Sequence, residues 1–334
     1  MKLGLNLGYW GSGRDDVLDL VQLAEDVGFD CVWSGEAYGS DGITPLAWLA
    51  GRTSRIGLGT AVLGMAGRSP ALTAQTAATM DHLSDGRFRL GLGMSGPQVV
   101  EGWHGIPYGK PMQRTREYVD VVRQVLRREA PLEHHGTYYD VPYTGSDGSG
   151  LGKPLKMILH PRRENLPIYL AAIGPRNIEL ACEIADGWFP VFFSPRRFDA
   201  IVPAGFTPRP DFDLCPILDV VVGDDAAECR AQVKPSIALY VGGMGARGKN
   251  FYNDVACRYG YTDAAVKIQD LYLAGRKEEA IAAVPDDLVD DIALCGPPER
   301  IKELLDPWTS APITSMSLMT RQPEAVRLMA DLLT

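Results

Sequence analysis

Strand-like and helix-like patterns alternate from residue 2 to the end of the chain, and this confines it to α/β folds with parallel strands. Strands are read at 2–8, 31–33, 56–62, 87–90, 168–172, 188–191, 217–222 and 314–318. Helical stripes follow at 15–27, 43–51, 70–83, 111–128 and 175–185, and a last helix spans 323–333. In the first stripe Val17, Leu18, Leu20, Val21, Ala24 and Val27 recur at helical spacing, and Gly28 supplies the stop. Eight strands in this order predict a single (β/α)8 TIM-barrel domain over 1–334, with insertions after strands 4 and 7 at 129–165 and 225–306. The first insertion holds a short strand near His135–Tyr139 and a turn at 145–150; the second is mostly helical.

Gly91-Leu92-Gly93-Met94-Ser95-Gly96 is a literal G-x-G-x-x-G. A dinucleotide fold wants this fingerprint between the first strand and the first helix of a βαβ unit. Here it follows the fourth strand, and the next residues, through Pro97, Gly102, Gly105, Pro107 and Gly109, are too rich in Gly and Pro to open a helix. A glycine-rich loop at the end of a barrel strand suits a (β/α)8 active site instead.

Composition removes several function classes. A net charge of −9 argues against nucleic-acid and anionic-membrane partners, which want a basic face. No apolar run reaches the 18 or so residues of a membrane span, and residues 1–7 alternate like a strand rather than forming a signal peptide. The six cysteines are scattered without a C-x-x-C, as expected of reduced, mostly buried thiols in a cytoplasmic protein. The five histidines are dispersed too, so no metal site is expected.

Barrel chemistry sits at the C-terminal ends of the strands. That rule selects Gly8-Tyr9-Trp10, Ser34 to Tyr38, Leu63-Gly64-Met65, Met94 to Gln98, Gly174 to Asn177, Phe192-Phe193-Ser194 and Met319-Thr320-Arg321. The set is aromatic and glycine-rich, poor in paired carboxylates, and contains no G-x-S-x-G elbow. Such surfaces suit a planar redox cofactor that brings its own chemistry.

Ser95-Gly96-Pro97-Gln98-Val99-Val100-Glu101-Gly102-Trp103, Gly35 to Asp41, Asp81 to Phe88, and Gly174-Pro175-Arg176-Asn177 with Ala185-Asp186-Gly187 resemble the bacterial luciferase-like superfamily. The resemblance covers essentially the whole chain and is strongest over 1–195. It is nearest to the branch using the deazaflavin coenzyme F420, which includes methylene-tetrahydromethanopterin reductases. Ile173-Gly174-Pro175 stands where flavin-binding relatives tend to carry a Glu-Ser type sequence. The resemblance therefore implies an F420-dependent oxidoreductase moving a hydride to or from a small-molecule or modified-peptide substrate, with reduction of an activated C=C or C=N bond expected. The alternatives are a reduced-FMN monooxygenase of the luciferase or alkanesulfonate type, and a barrel that binds a ligand without catalysis.

Each strand-end residue carries two readings. Leu63, Gly64 and Met65 form an ordinary turn, or the site of the family's non-proline cis peptide, expected at Gly64–Met65 and backing the cofactor ring. Gly174, Pro175, Arg176 and Asn177 are routine helix-start grammar, or a phosphate site built from free amides and the helix dipole. Arg68 is a solvated charge or a contact to the cofactor's acidic tail, and Ser95, Gly96, Pro97 and Gln98 complete the cofactor set. Glu36, Tyr38, Glu101 and His104 are the proton-transfer candidates, Glu36 being equally a substrate anchor or a cap for a nearby amide. Tyr9, Trp10, Trp103 and Phe193 are read as substrate-lining. Asp81, His82 and Asp85 to Arg87 belong beneath the barrel. A homodimer is expected, paired through helix 70–83 and its Ala71, Ala74, Ala77 and Ala78.

Overall fold

A computed structural model describes residues 1–13 and 16–333. Its main sheet is wholly parallel and curls into a TIM-barrel-like form. The principal strands are β1 (Lys2–Asn6), β2 (Cys31–Ser34), β3 (Gly57–Thr60), β4 (Phe88–Gly93), β5 (Ile168–Ala171), β6 (Gly187–Phe189), β7 (Ile217–Val222) and β8 (Ser315–Met319). Neighbours pair in chain order from β1 to β6, while β8 pairs with β1 on one side and β7 on the other. Asp213–Leu214 pairs with β6 and runs on into β7; Ile217 bridges Val191 and donates its amide to the Pro190 carbonyl at 3.2 Å. One stretch of chain thus joins the two ends of the sheet.

The helices packed outside are α1 (Leu18–Asp26), α2 (Thr44–Ala50), α3 (Pro70–Leu83), α4 (Pro111–Arg127) and α5 (Pro175–Ile184). The helix expected at 15–27 begins only at Leu18, and its expected first residue lies outside the described residues. The hairpin His134–His135 with Asp140–Val141 replaces the single short strand expected there. Six helices fall between 226 and 310, as the helical reading of that stretch anticipated, but Leu294–Gly296 is a strand that pairs with Val220–Val222. Three apolar-to-small residues carry too little periodicity to be told from a helix end.

The glycine motif is resolved by packing. Its first two glycines lie inside β4, not in a phosphate loop. A Cβ on Gly91 would collide with the Thr60 carbonyl, and one on Gly93 would stand 2.5 Å from Val62 Cγ2. Thr60 Oγ1 donates to the Gly91 carbonyl at 2.7 Å and accepts the Gly91 amide at 2.9 Å. The third glycine caps a helix over Pro97–Gly102, so the expectation of no helix here was wrong. Pro at the first helical position is compatible with a start because its missing N–H would be unpaired anyway; the helix stops after six residues at the glycine-rich stretch.

Inside the barrel Trp33, Tyr169 and Phe189 pack together with ring centroids 5.0–5.3 Å apart. Glycines face them. A Cβ on Gly4 would lie 2.5 Å from Trp33 Nε1, and ones on Gly59 and Gly187 would run into Trp33 and Tyr169. Beneath this layer Asp213 accepts from Tyr169 Oη at 2.9 Å and Ser315 Oγ at 2.6 Å, while Arg89 pairs with Asp30. Asp81 is fully buried and held by Arg163 at 2.5 Å, and the Arg87 guanidinium donates to the carbonyls of Ala50, Thr53 and Ile56. Of these residues, Asp81 and Arg87 are ones the sequence reading placed beneath the barrel.

Helix α3 corrects the expected dimer contact. Ala74, Ala77 and Ala78 are at most 1% exposed within the single chain, because they seat the helix on the barrel. They offer nothing to a second copy. All six cysteines are free.

Replacing Gly91 with Ala is expected to destabilise the fold by about 3 kcal/mol, the upper end for overpacking against backbone that cannot move. Urea unfolding of the variant beside the parent protein checks this.

Candidate active site

The C-terminal ends of the strands form a mouth with two chemically distinct sides. On the β2–β3 side, Glu36 follows β2. Its carboxylate accepts from Arg68 Nη1 at 2.8 Å, the Gly64 amide at 2.9 Å and the Gly42 amide at 3.3 Å. Both side chains of the ion pair are at most 20% exposed. Of the three readings of Glu36, this geometry supplies the amide-capping one and adds an ion pair. Arg68, in turn, is not a solvated charge.

The chain after β3 differs from expectation. The non-proline cis peptide is Ala61–Val62, not Gly64–Met65. Leu63 and Gly64 are instead drawn into register with Leu92 and Gly93 of β4. The side chains of Leu63 and Met65 are buried, so they can meet a ligand only through backbone.

Over the same side, the His104 ring lies on Gly67, where a Cβ would stand 2.8 Å from its Cε1. Trp103 and Tyr38 are exposed and lie 6.5 Å apart, ring to ring. Glu101 is exposed and accepts the Tyr108 amide at 3.1 Å. Ser95 holds a positive φ of 62° just ahead of Gly96, Pro97 and Gln98. The geometry therefore gathers Glu36, Arg68, Tyr38, Trp103 and His104 round one rim and leaves Glu101 on its outer edge.

Helix α5 starts beside this rim. Gly174 takes a φ of 86° that a side chain would resist, Pro175 occupies the first turn, and no side chain caps the end. Arg176 is exposed, and its side chain has no partner among the described residues. Pro175 has no N–H, and the Asn177 and Ile178 amides both donate to the Gly174 carbonyl at 3.1 Å, so the Arg176 amide is left open at the positive end of a ten-residue helix; with the Arg176 guanidinium it forms an anion-binding arrangement.

The β7–β1 side is aromatic. Tyr9 is exposed, and the Trp10 amide donates to Ser40 Oγ at 2.9 Å. Phe193 is fully buried against Phe198 and Trp308, so its substrate-lining assignment does not hold. Its neighbour Phe192, at a φ of 54°, turns the other way and meets Tyr240 and Tyr252 at 5.7 and 5.8 Å. The turn at Phe192 sends the two side chains apart, and sequence alone does not say which of two phenylalanines points in.

Sequence reasoning also missed Asp219. Cys215 and Ile217 belong to the inner aromatic cluster and Leu218 and Val220 to the outer core, so alternation places Asp219 on the inner face of β7. It is partly buried, and its carboxylate makes no hydrogen bond or ion pair among the described residues. Burial alone pushes its carboxyl up to about 6. Tyr240 lies within its field: burial, then Tyr9, Asp219 and Tyr38, raise that phenol. A signal was present, since one carboxylate interrupts the run Ile217-Leu218-Asp219-Val220-Val221-Val222.

Comparison with known proteins now bears on this geometry. The sequence model of luciferase-like monooxygenases matches residues 6–315. The chain belongs to the luciferase-like monooxygenase family. It is 47% identical, over 99% of both chains, to a Mycobacterium tuberculosis protein named as a coenzyme F420-dependent oxidoreductase. It is 29% identical to the 5,10-methylenetetrahydromethanopterin reductase of Archaeoglobus fulgidus, over 89% of this chain and 86% of that one. The fold matches the F420-dependent tetrahydromethanopterin reductase of Methanopyrus kandleri with a TM-score of 0.77 at 21% identity, covering 98% and 97% of the two chains. Among the described residues no group of His, Cys, Asp and Glu is placed to hold a metal, and no helix is long and apolar enough to cross a membrane.

The isolated Asp219 has a consequence for stability. Its acid form is favoured on folding, so the cost of ionising it is absent below about pH 4, grows as pH rises and is complete above about pH 6. Asp219→Asn is therefore expected to raise stability at pH 7.5 by up to about 3 kcal/mol and to leave it unchanged at pH 4. Thermal melts at both pH values measure the difference.

Proposed function

We propose that the protein is a coenzyme F420-dependent oxidoreductase that transfers a hydride between the deazaflavin and an organic substrate, most naturally in the direction of reducing a C=C or C=N bond. The 47% identity across 99% of both chains with a protein named as a coenzyme F420-dependent oxidoreductase carries this reading. The donor set fits an anionic cofactor: the open α5 N-terminus with Arg176 suits its phosphate. Gly64, Met65 and the Ser95–Gln98 loop would border its ring. The Glu36–Arg68 pair would hold that border in place, and Arg68 would be a contact for the acidic tail. When bound, the deazaflavin supplies the hydride and both electrons.

The chain's own part is to position and shield. Aromatic side chains at Tyr9, Trp10, Tyr38, Trp103 and Phe192 narrow the mouth and exclude water from the reacting carbon, and fixed placement provides much of the rate. Tyr38, His104 and Glu101 stay the proton-transfer candidates on the cofactor side, whereas Glu36 acts through its grip on Arg68. We read the architecture as one barrel domain with 129–165 and 225–306 inserted, the second supplying Tyr240 and Tyr252 to the substrate side. We also propose a cytoplasmic homodimer. Its contact is the outer face of α2 and α3, where Ile43, Ala47, Leu72, Thr76 and Leu83 line a shallow groove, and not the buried alanines.

Fluorescence titration should show tight F420 binding, weakened about tenfold by Arg176→Ala, the loss of one charge-assisted contact. Turnover with F420 should proceed equally under argon. Preferential binding of FMN with oxygen consumption would replace this reading with the monooxygenase one. Light scattering should give twice the chain mass, and the double change Leu72→Glu with Leu83→Glu should halve it; a monomeric parent protein would end the dimer proposal.

A further inference from the structure

We infer that Thr60 is a positioning residue for the cofactor: its buried hydroxyl sets the height at which residues 61–64 cross the mouth, and that height decides how firmly the deazaflavin ring is held. The inference rests on the deazaflavin reading above and adds a residue which that reading does not use.

Strand register shows why a side chain is needed here. Strands β3 and β4 pair Leu58 with Phe88 and Gly59 with Arg89, and pairing resumes with Leu63 opposite Leu92 and Gly64 opposite Gly93. Between these stretches the first chain has the three residues 60–62, and the second has only 90 and 91. One extra residue is a β-bulge, which bends its strand and interrupts the ladder. At this interruption the Thr60 hydroxyl joins the two chains. It accepts the Gly91 amide at 2.9 Å and donates to the Gly91 carbonyl at 2.7 Å. Thr60 is fully buried, so no bulk water can take over either bond.

The residues of the bulge are tied to the other neighbour as well. The Ala61 amide donates to the Ser34 carbonyl at 2.7 Å, and the Val62 carbonyl accepts the Glu36 amide at 3.1 Å. The Gly64 amide donates to the Glu36 carboxylate at 2.9 Å. Thr60 therefore anchors the segment on the β4 side, and Ser34 and Glu36 anchor it on the β2 side. Between the anchors Ala61 and Val62 lie on the Trp33–Tyr169–Phe189 layer and stay partly exposed. A planar ring bordered by this segment meets main chain and small side chains, and their height above the aromatic layer is fixed by the two sets of bonds. Hydride transfer tolerates little displacement of the reacting carbons, so a border free to shift loosens the ring and slows the reaction.

Glu36 and Thr60 differ in what they leave behind when changed. Glu36 is in contact with Arg68 and two amides, so its loss also frees a cation. Thr60 touches no charged group through its hydroxyl, and valine reproduces its shape. Thr60→Val thus removes both bonds to Gly91 alone, and Thr60→Ser keeps the hydroxyl.

The test reads the segment and the cofactor separately. On the cofactor-free proteins, hydrogen exchange at the Ala61 and Gly64 amides is expected to quicken about tenfold in Thr60→Val and to stay at the parent rate in Thr60→Ser. Fluorescence titration should show F420 binding about tenfold weaker in Thr60→Val, with lower anisotropy of the bound cofactor at saturation, and parent values in Thr60→Ser. Thr60→Ala, whose smaller side chain leaves room for a water at Gly91, provides the same readings if the valine variant does not fold. A residue that only supports the fold would lower the melting temperature and leave affinity and anisotropy where they were; that result overturns the inference. Unchanged exchange at Ala61 and Gly64 overturns it too. Failure of the parent protein to bind F420 overturns the cofactor reading instead, and the exchange result is independent of it.

Discussion

Three large aromatic side chains occupy the barrel interior in space that glycines on the facing strands leave open, and the shape of the site depends on this exchange. Trp33 could not stand where it does with any side chain at Gly4 or Gly59, nor Tyr169 with one at Gly187. Interiors are packed to crystal-like density, so the strands meet these rings at a fixed distance and the barrel keeps one width. The ring layer is also a floor. Below it Asp213, Arg89 and Asp30 close the underside with paired charges; above it the strands run on into the open mouth.

The mouth has two chemically distinct sides. Backbone amides, Arg68 and Arg176 gather on the arc from β3 to α5, the side suited to an anionic cofactor. Asp219 and the tyrosines face it from β7 and the helical stretch behind it. Glu36 links the first arc internally: by holding Arg68 and the Gly64 amide it fixes the segment after β3 relative to β2.

Several residues show where sequence patterns stop being informative. Gly91 and Gly93 match a nucleotide-binding signature, yet both are strand glycines needed for close approach to the segment after Thr60. The alanines of α3 suggest a helix–helix contact, but small residues serve equally well to seat a helix on its own barrel, and they do. Phe192 and Phe193 are chemically indistinguishable in sequence; the turn at Phe192 sends one towards Tyr240 and Tyr252 and leaves the other in the core. The Leu294–Gly296 strand is too short to show any period.

By itself the sequence determined the order of strands and helices, the parallel curled sheet and the family, because periodicity and strand-end motifs are local properties carried by neighbouring residues. It also located the rim, since chemistry in such a fold gathers at strand ends wherever those ends lie. Only the tertiary structure decided which rim residues are already satisfied and which are not. Glu36 became an anchor because Arg68 and two amides reach it across 6 to 32 residues of chain. Asp219 stands apart because, among the described residues, no donor or cation reaches its carboxylate. Partnership between charges depends on distances through space and on exclusion of water, and neither quantity is written in the spacing of residues along a chain.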